Sequence, residues 1–334
     1  MEKLLEIKNL ETAFRIKDDY FNAVDKVSLD LYKNEVLAIV GESGCGKSTL
    51  ATTIMRLHNE NLTKSTGEII FKGKNILDLT EDEMNKIRTK DIGMIFQDPL
   101  SSLNPLHRIG KQIEEALIYH TELSAEERQK RVIELLTQVG IPNPERCAKQ
   151  YPHELSGGMR QRVMIAMAMS CKPSVLIADE PTTALDVTIQ AQILDLIKGL
   201  QAEMHAGIIL ITHDLGVVAE MADRVAVLYA GEVVEIGTAE QIFKNPQHPY
   251  TRSLLRSIPQ IDDEEVGEEL YVIQGMVPSL KTLDRQGCRF ANRIPWLKDE
   301  HHEHNPTLHE VEEGHHVRCT CHRNFEFEGE ENNA

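Results

Sequence analysis

Residues 41 to 49 decide the fold of this 334-residue chain, and they read Gly41-Glu42-Ser43-Gly44-Cys45-Gly46-Lys47-Ser48-Thr49. They match the pattern G-x-x-x-x-G-K-[ST], in which the backbone N–H groups of a glycine-rich loop surround phosphates. In such a loop the lysine neutralises β and γ phosphate oxygens, and the hydroxyl after it is offered to Mg²⁺. We therefore interpret the stretch as a nucleotide-phosphate loop, with Cys45 as an ordinary loop residue rather than a redox switch.

Short apolar runs on both sides of this loop predict a parallel α/β sheet. Residues 35–40 form a buried strand before the loop, and a helix begins at Lys47. Two similar runs, residues 174–178 and 207–212, are each followed directly by polar residues. The carboxyl ends of parallel strands meet at one edge of the sheet, where ligands bind. We therefore expect one site to contain Lys47, Asp179, Glu180 and His213.

These strand-end residues suit the hydrolysis of a nucleotide. Asp179 is placed to hold Mg²⁺, Glu180 to accept a proton from an attacking water, and His213 to contact the γ-phosphate. The alternative is a pair of solvated acids and a surface histidine. We prefer the catalytic interpretation because the chain also has a phosphate loop. The Mg²⁺ expected with the bound nucleotide is a partner for the charge of the two acids. Gln97, taken alone, is a polar turn residue.

A second anion-binding stretch reads Leu155-Ser156-Gly157-Gly158-Met159-Arg160-Gln161-Arg162. A Ser-Gly-Gly turn that opens a helix presents free N–H groups at the positive end of the helix dipole. It lies in a helical insertion, expected over about residues 100 to 172, where apolar residues recur with a period near 3.6. Two phosphate-binding stretches in one chain indicate that nucleotide is shared with a partner subunit.

The composition places limits on the function. The net charge of −17 argues against nucleic acid as a partner, which requires a basic surface. No apolar run reaches the length of a membrane span, and the N-terminus lacks the apolar core of a signal peptide. The six cysteines are scattered and do not resemble a secreted disulfide framework. We expect a globular cytosolic protein.

Residues 1 to about 240 resemble an ABC transporter ATPase subunit in the order and approximate spacing of these motifs. The resemblance implies a RecA-like phosphate-loop core, an antiparallel β layer and a helical signature subdomain. It implies ATP and Mg²⁺ as ligands, with Mg²⁺ held through Ser48, Gln97 and Asp179, and Gln97 also placing the attacking water. It implies a head-to-tail dimer in which one signature stretch contacts ATP on the other subunit. For that contact it assigns Ser156, Gly157, Gly158 and Gln161, with Asp186 in a dimer-contact loop. Adenine is expected on an N-terminal aromatic, with Phe14, Tyr20 and Phe21 left open.

Two further stretches, residues 96–105 and 245–255, resemble the dipeptide, oligopeptide and nickel importer branch. That branch implies a second, non-identical ATPase subunit, two transmembrane permease subunits and an extracytoplasmic solute-binding protein. It places the chain peripherally at the cytoplasmic face of the cell membrane. We expect peptide as cargo, with nickel or another small solute as the alternative. A soluble ABC ATPase that acts on nucleic acid is the remote alternative, disfavoured by the single cassette and the acidic balance.

We assign residues 1–260 to the ATPase domain and residues 261–334, which are acidic and rich in histidine, to a C-terminal extension. The branch often carries a four-cysteine iron-sulfur cluster in this extension. Here Cys288 and Cys319 keep the two ends of the motif, but Ile294 stands where the second cysteine is expected and His301 near the third. Isoleucine cannot ligate iron, so we expect no such cluster. A zinc site that uses Cys288, Cys319, Cys321 and histidines is the alternative. We prefer a solvated tail with a relic fold that binds no metal, and we interpret the segment as an appended small domain or a partly mobile tail.

Overall fold

The structure is a computed structural model, and it describes residues 2–183, 185–258 and 271–328. The acidic run Asp262-Asp263-Glu264-Glu265, and with it the expected boundary near residue 260, lies outside the described residues. The strands are β1 (Lys3–Ile16), β2 (Asp19–Tyr32), β3 (Val36–Val40), β4 (Thr63–Phe71), β5 (Lys74–Asn75), β6 (Ile92–Ile95), β7 (Val175–Asp179), β8 (Gly207–Ile211), β9 (Arg224–Tyr229), β10 (Glu232–Thr238), β11 (Leu308–Glu312) and β12 (His315–Arg318).

The helices alternate with these strands through most of the chain. They are α1 (Lys47–Ile54), α2 (Glu81–Asn85), α3 (Pro99–Ser102), α4 (Ile109–His120), α5 (Ala125–Gln138), α6 (Pro144–Cys147), α7 (Gly157–Ala168), α8 (Val187–Met204), α9 (Leu215–Met221), α10 (Ala239–Lys244) and α11 (Pro249–Arg256). Among the described residues, no helix combines the length and the apolar character that crossing a membrane requires.

The larger sheet has the strand order β11-β12-β10-β9-β3-β8-β7-β6, and its strands β9, β3, β8, β7 and β6 run parallel. Every residue of β3, β7 and β8 is buried, as expected for strands covered on both faces. The register pairs Ile39 with Ile211 and Ile211 with Asp179. The carboxyl ends of the three strands therefore lie side by side, as the sequence predicted.

A smaller antiparallel sheet has the order β2-β1-β4-β5 and covers helix α1. Its apolar side chains, among them Leu10 and Ile69, join Leu50 of α1 and Ile39 of β3 in one hydrophobic cluster. This sheet is the antiparallel layer that the sequence predicted, and it fixes α1 beneath the phosphate loop.

Helices α3 to α7 form the helical region between β6 and β7. Their buried faces meet in a second hydrophobic cluster that includes Ile113, Leu136 and Ile165. Helix α5 begins with a capping box in which Ser124 and Glu127 exchange hydrogen bonds with each other's backbone N–H groups. Helix α7, which begins at Gly157, therefore projects from a packed helical layer rather than from a loop.

The C-terminal extension contributes strands to the larger sheet, so residues 271–328 form an appended folded unit rather than a mobile tail. Strand β12 pairs antiparallel with β10 and places His316 opposite Ile236. A third hydrophobic cluster joins Phe290 and Ile294 of the extension to Tyr229 and Tyr250. Apolar side chains that the sequence scatters between charged residues thus bury enough surface to fold the extension against the ATPase core.

Arginines of the extension meet carboxylates of the core. Arg289 forms ion pairs with Asp25 and, at 3.2 Å, with Glu232, and Arg285 lies 3.3 Å from Asp25. The Arg289 side chain is only 4% exposed and Asp25 only 9%. Because removing one partner of a buried pair leaves an uncompensated charge, these contacts tie the extension to one position on the core.

Candidate functional site

The phosphate loop runs from the end of β3 to the first turn of α1 and encloses the lysine. Lys47 is 5% exposed, and its Nζ donates to the carbonyl oxygens of Gly41 at 2.7 Å and Glu42 at 3.0 Å. At Gly46, with φ 105°, a Cβ atom would lie 2.4 Å from the Ala23 carbonyl oxygen, so only glycine fits. The Cys45 side chain is buried, and burial raises the pKa of its thiol, in keeping with a structural role.

Ser48 and Asp179 meet at the start of α1, where the sequence predicts the Mg²⁺ site. The Ser48 hydroxyl donates to Asp179 Oδ1 at 3.1 Å. Asp179 is 5% exposed, and burial raises the pKa of its carboxyl group. A hydroxyl and a buried carboxylate are the hard oxygen ligands that suit Mg²⁺, and a cation there would offset the burial of the charge. These two residues fit the predicted role.

Glu180 lies at the centre of a hydrogen-bonded group made by three chain segments. Its carboxylate accepts from Gln97 Nε2 at 2.8 Å and from Thr183 Oγ1 at 2.9 Å. His213 Nδ1 lies 3.2 Å from its other oxygen, with a side chain 62% exposed. The backbone of Glu180 has φ 46°, a left-handed conformation that costs a non-glycine residue about 1–3 kcal/mol. Such strain is typical of a functional position, and it aims the carboxylate at the open edge of the sheet.

Ser156, Gly157 and Gly158 lie at the N-terminus of α7, where Ser156 Oγ accepts the Met159 N–H at 3.3 Å. Ser156 and Gly157 are exposed. In the described part of the chain, no hydrogen bond or ion pair links these three residues to the phosphate loop. Gln161 differs from them, because it is 2% exposed and donates to the Pro181 carbonyl oxygen at 2.5 Å. Its observed contact is therefore within the chain, and its expected role in the partner's site stays a prediction.

Asp186 caps helix α8, and its Oδ1 accepts the Ile189 N–H at 3.0 Å. The next residue, Val187, is 83% exposed. An exposed valine beside an exposed carboxylate is compatible with the dimer-contact role that the resemblance implies for this loop, and the structure adds the helix cap as a second role.

The three candidate aromatics for adenine occupy both faces of the β1–β2 hairpin. Phe14 pairs with Phe21 across the strands, so the two rings share one face. The Phe14 ring meets His58 edge to face with centroids 5.2 Å apart. Tyr20 is on the opposite face, where Lys64 Nζ lies 4.0 Å from its ring centroid. The geometry leaves the choice between the faces open.

Two residues that support the phosphate loop come from beyond the expected cassette motifs. The Glu42 backbone N–H donates to the Tyr250 hydroxyl at 2.7 Å. The Arg293 guanidinium donates to both oxygens of the Glu42 carboxylate, at 2.5 and 3.2 Å. Arg293 is 6% exposed and Tyr250 fully buried. Both lie in stretches that the sequence analysis singled out, but no local pattern indicates that they reach the loop.

The extension also brings together Cys288, His302, Cys319 and Cys321, whose ligand atoms all lie within 4.8 Å of one another. Three of these were candidates from the sequence. The histidine of the cluster is His302 and not His301, because the chain turns between these two residues and places the His302 ring beside the cysteines.

Comparisons with known proteins show the family of this chain. Residues 24–183 match the family described as ABC transporter, and residues 234–300 match the family described as the C-terminal region of oligopeptide/dipeptide transporters. The dimeric post-hydrolysis structure of the ATP-binding cassette MJ0796, bound to ADP and Pi, is 33% identical with a TM-score of 0.64 and covers 71% of this chain and 99% of its own. Fold and site thus define an ATP-hydrolysing subunit of the ABC transporter class.

Full-length relatives narrow the class to one branch. The chain is 53% identical over 327 residues to the oligopeptide transport ATP-binding protein OppD of Lactococcus lactis subsp. cremoris, covering 98% of this chain and 96% of the relative. It is 53% identical over 296 residues to the dipeptide transport ATP-binding protein DppD of Bacillus subtilis, covering 88% of each. The chain belongs to the ATP-binding proteins of the oligopeptide and dipeptide transport branch of ABC transporters.

Proposed function

We propose that this chain binds and hydrolyses ATP as one of two ATPase subunits of a peptide importer. The observation that carries the proposal is the group around Glu180, which joins Gln97 and His213 at the same strand edge as Lys47 and Asp179. The meeting of these side chains at one edge of the sheet supports roles for Glu180 as proton acceptor, for Lys47 as phosphate-binding group and for Asp179 as cation-binding carboxylate.

The phosphate loop holds the triphosphate. Its backbone N–H groups and Lys47 bind the β and γ phosphates, and Lys47 releases its contacts to the Gly41 and Glu42 carbonyl oxygens as it turns to them. Ser48 and Asp179, with the amide oxygen of Gln97, are the residues placed to hold Mg²⁺. When bound, Mg²⁺ neutralises charge that develops on the phosphate oxygens.

Glu180 takes the proton of the attacking water. Gln97 donates its amide N–H to one carboxylate oxygen, which orients the group and keeps the glutamine beside the water. His213, exposed on the opposite side of the carboxylate, contacts the γ-phosphate. The Thr183 hydroxyl donates to the same Glu180 oxygen as Gln97 does, and this second hydrogen bond keeps the carboxylate from turning toward solvent.

A second ATPase subunit completes the site. The signature residues Ser156, Gly157 and Gly158 lie at the N-terminus of α7, where Ser156 and Gly157 are exposed, and provide anion-binding N–H groups for ATP held by the partner. The dimeric MJ0796 cassette supports a paired arrangement. We infer that the partner is a non-identical ATPase and that closure of the pair moves the helices near Gln97 against two permease subunits. An extracytoplasmic binding protein supplies the cargo, and the chain lies at the cytoplasmic face of the membrane.

The relatives support peptide as the cargo. The two full-length relatives described above are named for oligopeptide and dipeptide transport. Purification from membranes with an affinity tag tests the assembly. We expect two polytopic subunits and a second ATPase to co-purify, and recovery of ribosomes or DNA instead would end the importer assignment.

Replacing Glu180 by glutamine tests the chemistry. The amide keeps the shape and a hydrogen bond but cannot accept the proton, so we expect ATP binding to persist and hydrolysis at this chain's loop to fall by at least about 100-fold. Single-turnover hydrolysis in the assembled complex measures this, with the exposed Glu220→Gln as the matched control. Wild-type turnover in Glu180→Gln would overturn the assignment of the base.

A further inference from the structure

The Cys288, His302, Cys319 and Cys321 cluster joins three separate parts of the extension. Cys288 follows the turn at Gly287, His302 ends a short 3-10 turn, and the other two cysteines follow β12. Cys319 and Cys321 are fully buried. Four metal-ligating groups from distant positions that converge in a protein interior indicate a built site rather than a chance encounter of surface side chains.

We propose that these four side chains hold a single zinc ion in tetrahedral coordination. Zinc bonds of about 2.3 Å to sulfur and 2.0 Å to nitrogen set neighbouring ligand atoms about 3.5–3.8 Å apart. The observed ligand atoms all lie within 4.8 Å of one another, so small side-chain adjustments reach that geometry. Three thiolates and one imidazole are a standard ligand set for structural zinc.

The four-cysteine iron-sulfur cluster of the branch does not fit this chain. Only three cysteines meet in the described residues, and Ile294, which stands where the second cysteine of the motif is expected, is fully buried in the third hydrophobic cluster. A four-iron cluster also places irons and sulfides between its thiolates, which then stand farther apart than around one ion. The close approach of these ligand atoms suits one ion and not a cluster.

The histidine provides an independent observation. Both ring nitrogens of His302 are buried, and neither has a hydrogen-bond partner within the described ranges. Buried ring nitrogens are normally hydrogen-bonded or bound to metal, since an unsatisfied polar atom is costly. An ion would satisfy one of the two. The Glu303 backbone N–H donates to Cys319 Sγ at 3.3 Å, the kind of contact that stabilises a metal-bound thiolate.

Metal analysis of the full-length protein, purified without added metal and without a histidine tag, tests the site. We expect one zinc per chain, no acid-labile sulfide and no visible absorption. Protein from cobalt-supplemented cells should show the visible bands of tetrahedral Co²⁺ bound to thiolates. Stoichiometric iron with sulfide, or metal far below one ion per chain, would overturn the proposal.

Variants locate the site. His302→Asn and Cys321→Ser should each lose stoichiometric zinc, whereas Cys171→Ser, a free cysteine in the helical region, should keep it. Circular dichroism of each variant shows whether it is folded. If a cysteine variant fails to fold, the partly exposed His302 remains the decisive position. Full zinc content in folded His302→Asn would contradict the assigned ligand set.

Discussion

Replacing Tyr250 by phenylalanine removes the hydroxyl oxygen that contacts the phosphate loop and leaves the aromatic ring in place. The Tyr250 ring is fully buried, with its centroid 4.6 Å from that of Tyr229 and 5.4 Å from that of Phe290, and phenylalanine keeps these contacts. The loss is the hydrogen bond from the Glu42 N–H, which is 2.7 Å long and partly buried. A buried donor without a partner costs about 1–3 kcal/mol of folding free energy. Because the Glu42 N–H is only partly buried, we expect a loss in the lower part of this range, about 1–2 kcal/mol.

Tyr229→Phe is the matched control. Its hydroxyl is buried, lies near the Arg293 guanidinium and makes no well-aligned hydrogen bond in the part of the chain that the structure describes. Removing a hydroxyl of that kind should change the free energy of unfolding by less than about 0.5 kcal/mol, or stabilise the chain. The two substitutions are chemically identical and their rings touch. The difference in the free energy of unfolding between the two variants therefore isolates the hydrogen bond between the phosphate loop and Tyr250.

Urea unfolding of the purified chain measures the effect. Trp296 is the sole tryptophan and donates to the Glu326 carbonyl oxygen, so its fluorescence reports on the extension while circular dichroism reports on the whole chain. We expect Tyr250→Phe to unfold at lower urea and to bind ATP more weakly, by no more than about tenfold. Equal stability of the two variants would refute the idea that Tyr250 supports the loop.

Two further predictions concern the signature helix and acid stability. Ser156→Asp keeps an oxygen to cap α7, so the free energy of unfolding should change by less than about 0.5 kcal/mol. The added charge repels the partner's phosphate, so turnover of the assembled complex should fall at least tenfold, about 1.4 kcal/mol in activation free energy. Unchanged turnover would contradict the proposal that Ser156 completes the partner's ATP site. His248 is fully buried, and burial lowers its pKa to about 4. The unfolded chain takes up this proton near pH 6.5, so stability falls as pH drops from about 6.5 to 4, by about 1.4 kcal/mol per unit. His248→Asn should flatten that slope in urea titrations, and an unchanged slope would exclude His248 as its source.

The sequence predicts the edge of the sheet at which these side chains meet because local patterns encode it. Apolar runs that end in polar residues define β3, β7 and β8, and parallel pairing then brings Lys47, Asp179 and Glu180 together. Thr183, three residues after Glu180, escaped notice because a threonine in a turn carries no distinguishing pattern.

The supports of the phosphate loop could not be predicted in this way. Tyr250 and Arg293 lie 208 and 251 residues from Glu42 along the chain. Tyr250 reaches it from helix α11, and Arg293 reaches it only through the docking of the extension. The packing of the extension could not be predicted either, since its acidic and histidine-rich composition is typical of a solvated segment. Its folding depends on a few apolar side chains such as Phe290, whose burial composition alone does not reveal.

The pairing of β12 with β10 has a consequence for aggregation. Without it, β10 would be an edge strand with free N–H and C=O groups, able to recruit the same strand of another molecule. Strand β11 takes over the edge and carries exposed Glu310 and Glu312, whose like charges discourage such stacking between copies. A chain truncated before residue 271 should therefore self-associate through its sheet even where its phosphate loop is intact.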